Sequence, residues 1–219
     1  MPRLLGVVAG LLLLAGVLTA LGWAPRDAVQ GNVQRIMYIH VPAVLTAYVA
    51  IGVIFVASIA YLRGRQPAWD RVAAASGELA GCFIGLTLAT GSIWGKPAWG
   101  TWWTWDARLT STALLFVIYL GYLLLRSVVE DPERAATYAA VLGIIGALDV
   151  PIIHFSVQWW RTLHQPATVL RPQSPAMDPF MLAVLGLNAV AFLGTYVYLA
   201  GRRYRLLTLQ AEASRRAWA

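Results

Sequence analysis

Five tryptophans, Trp94, Trp99, Trp102, Trp103 and Trp105, fall within twelve residues of the stretch WGKPAWGTWWTWDARLT, half of the ten in the chain. An indole ring offers a wide apolar surface with few rotatable bonds and a single N–H donor, so a cluster of them makes a platform for something flat and apolar. Gly95, Pro97 and Gly100 lie among them, which reads as a shaped loop. Membrane surfaces also collect tryptophan, but an aromatic belt places one or two rings at a helix end. Belt and platform account equally well for Trp159 and Trp160.

The three histidines of the chain, His40, His154 and His164, fall near the same tryptophans once the apolar runs are laid out. Imidazole is a good ligand for iron, and two imidazoles can occupy both axial positions of a haem. His40 and His154 are the candidate axial pair, because each stands at the end of an apolar run. His164 reads as a loop histidine or a group supporting a ligand. An interfacial histidine can equally be a hydrated polar residue. Lys96 and Arg108 are cations within the tryptophan stretch, suited to the propionate edge, where arginine can bind bidentately. Asp106 is spaced to cap the following helix through its free amides. Arg108, two residues on, would not face Asp106 on a helix and is left free to reach an anion. Haem satisfies this whole inventory: a flat apolar body, a metal and anionic edges. The single cysteine, Cys82, lies inside an apolar run, so no CxxCH attachment site exists, and haem b held non-covalently is the expected form.

These residues must be positioned by membrane helices. The chain of 219 residues is 59% hydrophobic and 12% charged, about half the charge of a soluble domain. Apolar runs near the roughly 20 residues that cross a bilayer predict an all-α protein with six spans, at 4–23, 41–62, 72–93, 109–125, 136–153 and 180–200. The first run is too long for a signal h-region and lacks an A-x-A site, so it is read as a retained helix. The spans make one domain, 1–205, followed by a tail, 206–219.

The net charge of +7 would suggest nucleic acid in a soluble chain, but here it reports topology and no nucleic-acid partner is expected. Arg3, Arg63, Arg65, Arg71, Arg126, Arg134, Arg202, Arg203, Arg205, Arg215 and Arg216 lie at one face; Arg26, Arg35, Lys96, Arg108, Arg161 and Arg171 lie at the other. The richer face is expected to be cytoplasmic, with both termini, leaving the tryptophan segment between the third and fourth spans outside. The tail arginines can also meet anionic lipid.

Val29, Val33, Ile36 and His40 recur at helical spacing and predict a short helix in the interface plane. Pro42 would open the second span and leave His40 at its mouth. Pro151 should bend the fifth span near its end, just before His154. Gly77, Gly81 and Gly85 form a small-xxx-small seam for close helix contact. Glu78 beside that seam is read as a helix-packing or subunit contact, and Asp149 as a candidate support for His154.

Over the region from the first span to about Arg205, the chain resembles the tryptophan-rich haem-handling membrane proteins. Among them it resembles the cytochrome c maturation protein C family, also known as haem exporter protein C. WGKPAWGTWWTWDARLTS, RIMYIHVPA and PIIHFSVQWWRTLHQ carry the likeness. The resemblance implies a protein that binds haem at the outer face of the bacterial inner membrane, on the tryptophan-rich segment between two histidines, matched here by His40 and His154. It further implies transfer to a membrane-anchored periplasmic haem chaperone, beside an ATP-binding-cassette ATPase and permease and a small single-span subunit. The expected role is binding and transfer rather than enzymatic. Larger synthetase-type relatives carry further histidines and spans.

Two other classes use similar parts. A bis-histidine cytochrome b subunit would place histidines at more than one depth, whereas no histidine here lies within a span or at the inner face. A permease with an aromatic cage for a quaternary ammonium solute would need a polar path between the faces, and only Glu78 and Asp149 are ionisable within the spans.

Overall fold

The computed structural model describes residues 3–165, 169 and 175–217. Six helices long and apolar enough to cross a membrane make this a multi-pass all-α membrane protein, with no strand among the described residues. The helices are α1 (Arg3–Leu18), α2 (Met37–Gly64), α3 (Pro67–Trp99), α4 (Ala107–Val128), α5 (Pro132–Trp159) and α6 (Pro179–Ala217). Arg171, one of the expected outer cations, lies outside the described residues.

α2 is the axis of the bundle, packing against α3, α5 and α6; α4 closes the side between α3 and α5, and α1 rests on α6. The glycine seam of α3 faces α4: a Cβ on Gly77 would stand 2.5 Å from the Tyr122 ring, and one on Gly85 would stand 3.3 Å from Phe116. Close approach of the two backbones therefore depends on the absence of side chains there.

Helix ends follow local chemistry. Asp131 caps α5 by accepting from the amides of Glu133 and Arg134, ahead of Pro132 in the first turn. Asp178 accepts likewise from Phe180 and Met181 at the start of α6. α6 has 39 residues, about 58 Å of helix against a hydrocarbon core of roughly 30 Å. It runs unbroken through residue 205, so the tail continues the last span. At the end away from the tryptophan segment, here termed inner, Arg126 of α4 binds Asp70 of α3 at 2.7 and 2.8 Å. Arg203 of α6 grips Glu78 of α3, so Glu78 serves helix packing within the chain.

Three elements differ from the expectation. Residues 24–40 do not form one interfacial helix. Asp27 Oδ1 accepts from the amides of Val29 and Gln30, turning the chain locally, and Gly31 continues it at φ 60°. Only then does a short 3-10 helix, Asn32–Ile36, lead into α2. α2 consequently starts at Met37, and Pro42 and His40 both lie inside it. The only bond Pro42 forfeits is that to the carbonyl of Tyr38, a cost the near-terminal position tolerates. α3 also continues to Trp99, carrying Trp94 and Pro97 within it, so only the second half of the tryptophan stretch is loop. Likewise α5 continues past His154 to Trp159 despite Pro151.

Candidate functional site

The outer ends of α2, α3, α4 and α5, together with the segment after α5, enclose a cavity of about 170 Å³. It shares His40, Gly91, Trp99, Arg108, His154 and His164 with a larger one of about 310 Å³, within the common range for small-molecule sites, about 300–1,000 Å³. All three histidines line both, as do Trp99 and Arg108. Trp103 walls the inner part and Trp94 the outer part. Trp102 and Trp105 line neither and are 57% and 82% exposed, Trp105 packing edge-on against Trp103 with centroids 5.6 Å apart.

Each wall residue is held by its own element. Gly100, at φ 80°, ends α3 by donating its amide to the Lys96 carbonyl at 2.9 Å, a left-handed cap that glycine adopts without strain. Lys96 Nζ donates to the Gly100 carbonyl at 3.0 Å, so the lysine closes the same helix end and faces solvent. Trp94 Nε1 donates to Gln30 Oε1 at 2.7 Å, tying the outer wall to the Asp27 turn. Arg35, expected among the outer cations, donates to the carbonyls of Leu21 and Ala24 and clamps the end of the first span.

Two histidines are oriented by partners on one ring nitrogen. His40 Nδ1 lies 3.0 Å from Thr90 Oγ1 of α3, and its ring meets the edge of Trp94 with centroids 5.8 Å apart. His164 Nδ1 lies 3.7 Å from Asp106 Oδ2 and 3.4 Å from Thr162 Oγ1, with its ring 4.7 Å from that of Trp99. In both, Nε2 is the nitrogen left for a ligand, the arrangement in which a metal-binding imidazole is fixed by a carboxylate or hydroxyl behind it. His154 is exposed at the rim and packs edge-on against Phe155; Asp149 makes no hydrogen bond to it.

Asp106 organises the segment after α5. Its Oδ1 caps α4 by accepting from the Leu109 amide at 2.9 Å, as its spacing predicts. Its Oδ2 accepts from Thr162 Oγ1 at 2.7 Å and from the Leu163 amide. Burial alone would raise its pKa, but these donors and the neighbouring His164 hold it below the usual carboxylate value. For His164, burial first and then the charge of Arg108 lower the pKa to about 4 against the opposing pull of Asp106. The imidazole is therefore neutral near pH 7 and its contact with Asp106 is a polar one, not a full ion pair. The role of His164 was the main feature that sequence spacing left undecided. Its signal, RTLHQ directly after WW, acquires meaning only once Asp106 folds that segment back over the cavity.

Arg108 is not free. Its Nη2 donates to the His154 carbonyl at 3.0 Å, while Nε lies 3.5 Å from Ser156 Oγ. It still borders both parts of the cavity, the nearest cation to any anionic ligand there. Two buried polar atoms of the wall, Trp103 Nε1 and Thr87 Oγ1, have no hydrogen-bond partner.

The description heme exporter protein C matches residues 1–219. Proteins of that name are 45% identical over 91% of this chain and 76% of the relative in Bradyrhizobium diazoefficiens, and 41% identical over 93% and 83% in Haemophilus influenzae. The corresponding protein of Escherichia coli K12 is 38% identical over 98% of this chain and 86% of its own length. With the match running end to end, through the tryptophan stretch and the segments that bear all three histidines, the chain belongs to the heme exporter protein C family.

Proposed function

We propose that this protein binds haem b non-covalently in the tryptophan-walled cavity and presents it, at the periplasmic face of the inner membrane, to a membrane-anchored haem chaperone during cytochrome c maturation. The observation that carries this reading is a single apolar cavity lined by three histidines, two of them with Nδ1 already engaged. The names of the relatives support the haem assignment. Haem is cargo here, so the protein contributes binding and orientation.

His40 and His164 are the axial pair that the hydrogen bonding favours, each offering Nε2 from a ring held at its other nitrogen. His154 with His40 is the pair suggested by sequence spacing, and the cavity also accommodates it. Trp94, Trp99 and Trp103 flank the macrocycle. Arg108 neutralises a propionate, with Lys96 close by at the solvent edge, and the orphaned Trp103 Nε1 offers a further donor. Asp106 acts through His164 and the segment it anchors. The exposed Trp102 and Trp105 meet the chaperone, which takes haem from the open side. The ATP-binding-cassette ATPase and permease and a small single-span subunit are the membrane partners of this reading, with both termini cytoplasmic.

The test is the absorption spectrum of the detergent-purified, haem-reconstituted protein and of three variants, His40→Ala, His154→Ala and His164→Ala. Loss of low-spin six-coordinate features in the His40 and His164 variants, with His154→Ala unchanged, is the expected result. Loss in His154→Ala with His164→Ala unchanged reassigns the second ligand. No haem in the reconstituted wild-type protein refutes the reading.

A further inference from the structure

Beneath the cavity, a stripe of polar side chains of α2, α4 and α5 lies along the middle of the bundle, between Asp149 and Arg126. On α4, Leu115 lines the cavity, and Tyr119, Tyr122 and Arg126 follow at spacings of four, three and four residues, one face of a helix. On α5, Ile153 lines the cavity and Asp149 lies one turn inward on the same face. Gly146 and Gly143 come next, and their Cβ positions would stand 3.1 Å from the Tyr119 ring and 3.6 Å from the Tyr122 ring. Ser58 of α2 meets the same place, its Oγ 3.2 Å from the Gly143 position. The Tyr119 and Tyr122 rings are 5.9 Å apart, and Arg126 lies over Tyr122 at 5.6 Å before closing on Asp70.

Four buried atoms of this stripe, Asp149 Oδ2, Tyr119 Oη, Tyr122 Oη and Ser58 Oγ, have no protein hydrogen-bond partner. Each would cost about 1–3 kcal/mol if left unsatisfied, together comparable with the whole stability of a typical domain, about 5–15 kcal/mol. Bridging water satisfies such groups where they cluster. An ionisable group in a membrane span is also a functional candidate in its own right.

We propose that this stripe is a hydrated proton path, entered at the partly exposed Arg126–Asp70 pair and terminating on the Asp149 carboxyl beneath the cavity floor. A proton from the inner solution enters beside Asp70. The Tyr122 and Tyr119 hydroxyls, with their bridging waters, each accept one proton and release another, and the Asp149 carboxylate becomes a carboxylic acid. No electron moves, and the reverse sequence returns the proton. The effect is one unit of charge added or withdrawn beneath the cavity. The charged or titratable groups facing the path are Tyr48 of α2, which lines the cavity near Asp149, Glu78 and Asp70 of α3 and Arg126 of α4 near Tyr122, and Arg108 at the outer end. The proposal is independent of what the cavity binds.

Infrared spectroscopy of the full chain in lipid nanodiscs tests it. A protonated carboxyl band should titrate and disappear in Asp149→Asn; carbon-13 labelling of aspartate assigns the band if that variant fails to fold. After transfer to heavy water, exchange of the band should slow by about tenfold in the Tyr119→Phe/Tyr122→Phe double variant. Thr112→Val, on the cavity side, should exchange as the wild type does. A missing band, wild-type exchange in the double variant, or slowing confined to Thr112→Val would overturn the path.

Discussion

The two ends of the bundle handle polar side chains in opposite ways. At the inner end two charged pairs are matched, Arg126 with Asp70 and Arg203 with Glu78, both at hydrogen-bonding distance, while Arg71, whose Nε lacks a partner, lies over the Tyr204 ring. At the outer end polar atoms are oriented but left open: Trp103 Nε1 and Thr87 Oγ1 lack partners, and His40 and His164 are held at one nitrogen only. A matched group has its energetic reason inside the chain, and an open one points to something that arrives. The inner end should therefore fail through stability and the outer end through binding.

The sharpest separation comes from replacing one group at each end. His40→Ala should abolish low-spin haem binding and leave thermal unfolding nearly unchanged. Arg126→Ala should lower stability by about 2 kcal/mol while keeping the haem spectrum. That figure is set below the roughly 3–5 kcal/mol of a fully buried broken pair, because the Arg126 and Asp70 side chains remain 21% and 20% exposed and water screens what is left. If Arg126→Ala abolished binding without destabilising the bundle, the division between the ends would not hold.

Asp106 joins the two kinds of behaviour, since it caps α4 and also holds the segment bearing His164. Asp106→Ala should cost about 1 kcal/mol of stability through the cap. Haem affinity should fall more, by about 10–100-fold, as when a group behind a metal ligand is removed. Asp106→Asn can still accept at the cap and should recover most of the stability but less of the affinity. Equal recovery of both would reduce Asp106 to a cap. Calorimetric unfolding and haem titration, run on the same preparations, read the two effects separately.

Which of these features are legible in the sequence follows from how local their causes are. Six apolar runs, the Asp106 cap and the glycine seam depend on neighbours a few residues away, and the bundle carries them as the spacing suggests. Helix ends are misplaced where Pro42 and Pro97 read as punctuation, since both lie inside helices; Pro151 lies within the fifth span as expected, but that helix runs on to Trp159. At Pro42 the cost is one bond near an end already led in by a 3-10 turn. Five clustered tryptophans look like one shelf, but Trp94 and Trp99 sit on α3 and the other three on the loop after it, so that Trp94, Trp99 and Trp103 line the cavity while Trp102 and Trp105 do not. The engagement of Arg108 with α5 and the position of His164 both depend on contacts some fifty residues apart, 46 and 56 in sequence, and no spacing rule reaches that far.

A smaller effect concerns acid. Because burial and Arg108 depress the His164 pKa to about 4, its neutral imidazole is available throughout the physiological range, and a proton competes with iron only well below it. Haem affinity should be flat above about pH 5 and fall as pH drops through about 4, about tenfold per pH unit for a single competing proton. The same depression works against the fold. The unfolded histidine takes up its proton near pH 6.5 and the folded one only near 4, so stability is lost as pH drops through that window and is constant above it. Arg108→Gln removes the second cause while leaving burial in place, so the midpoint should move upward but stay below 6.5. Asp106→Asn removes the opposing pull and should move it down. A spectroscopic titration of the haem-loaded protein with both variants distinguishes these directions. An unchanged midpoint in both would mean that the acid-sensitive ligand is not His164.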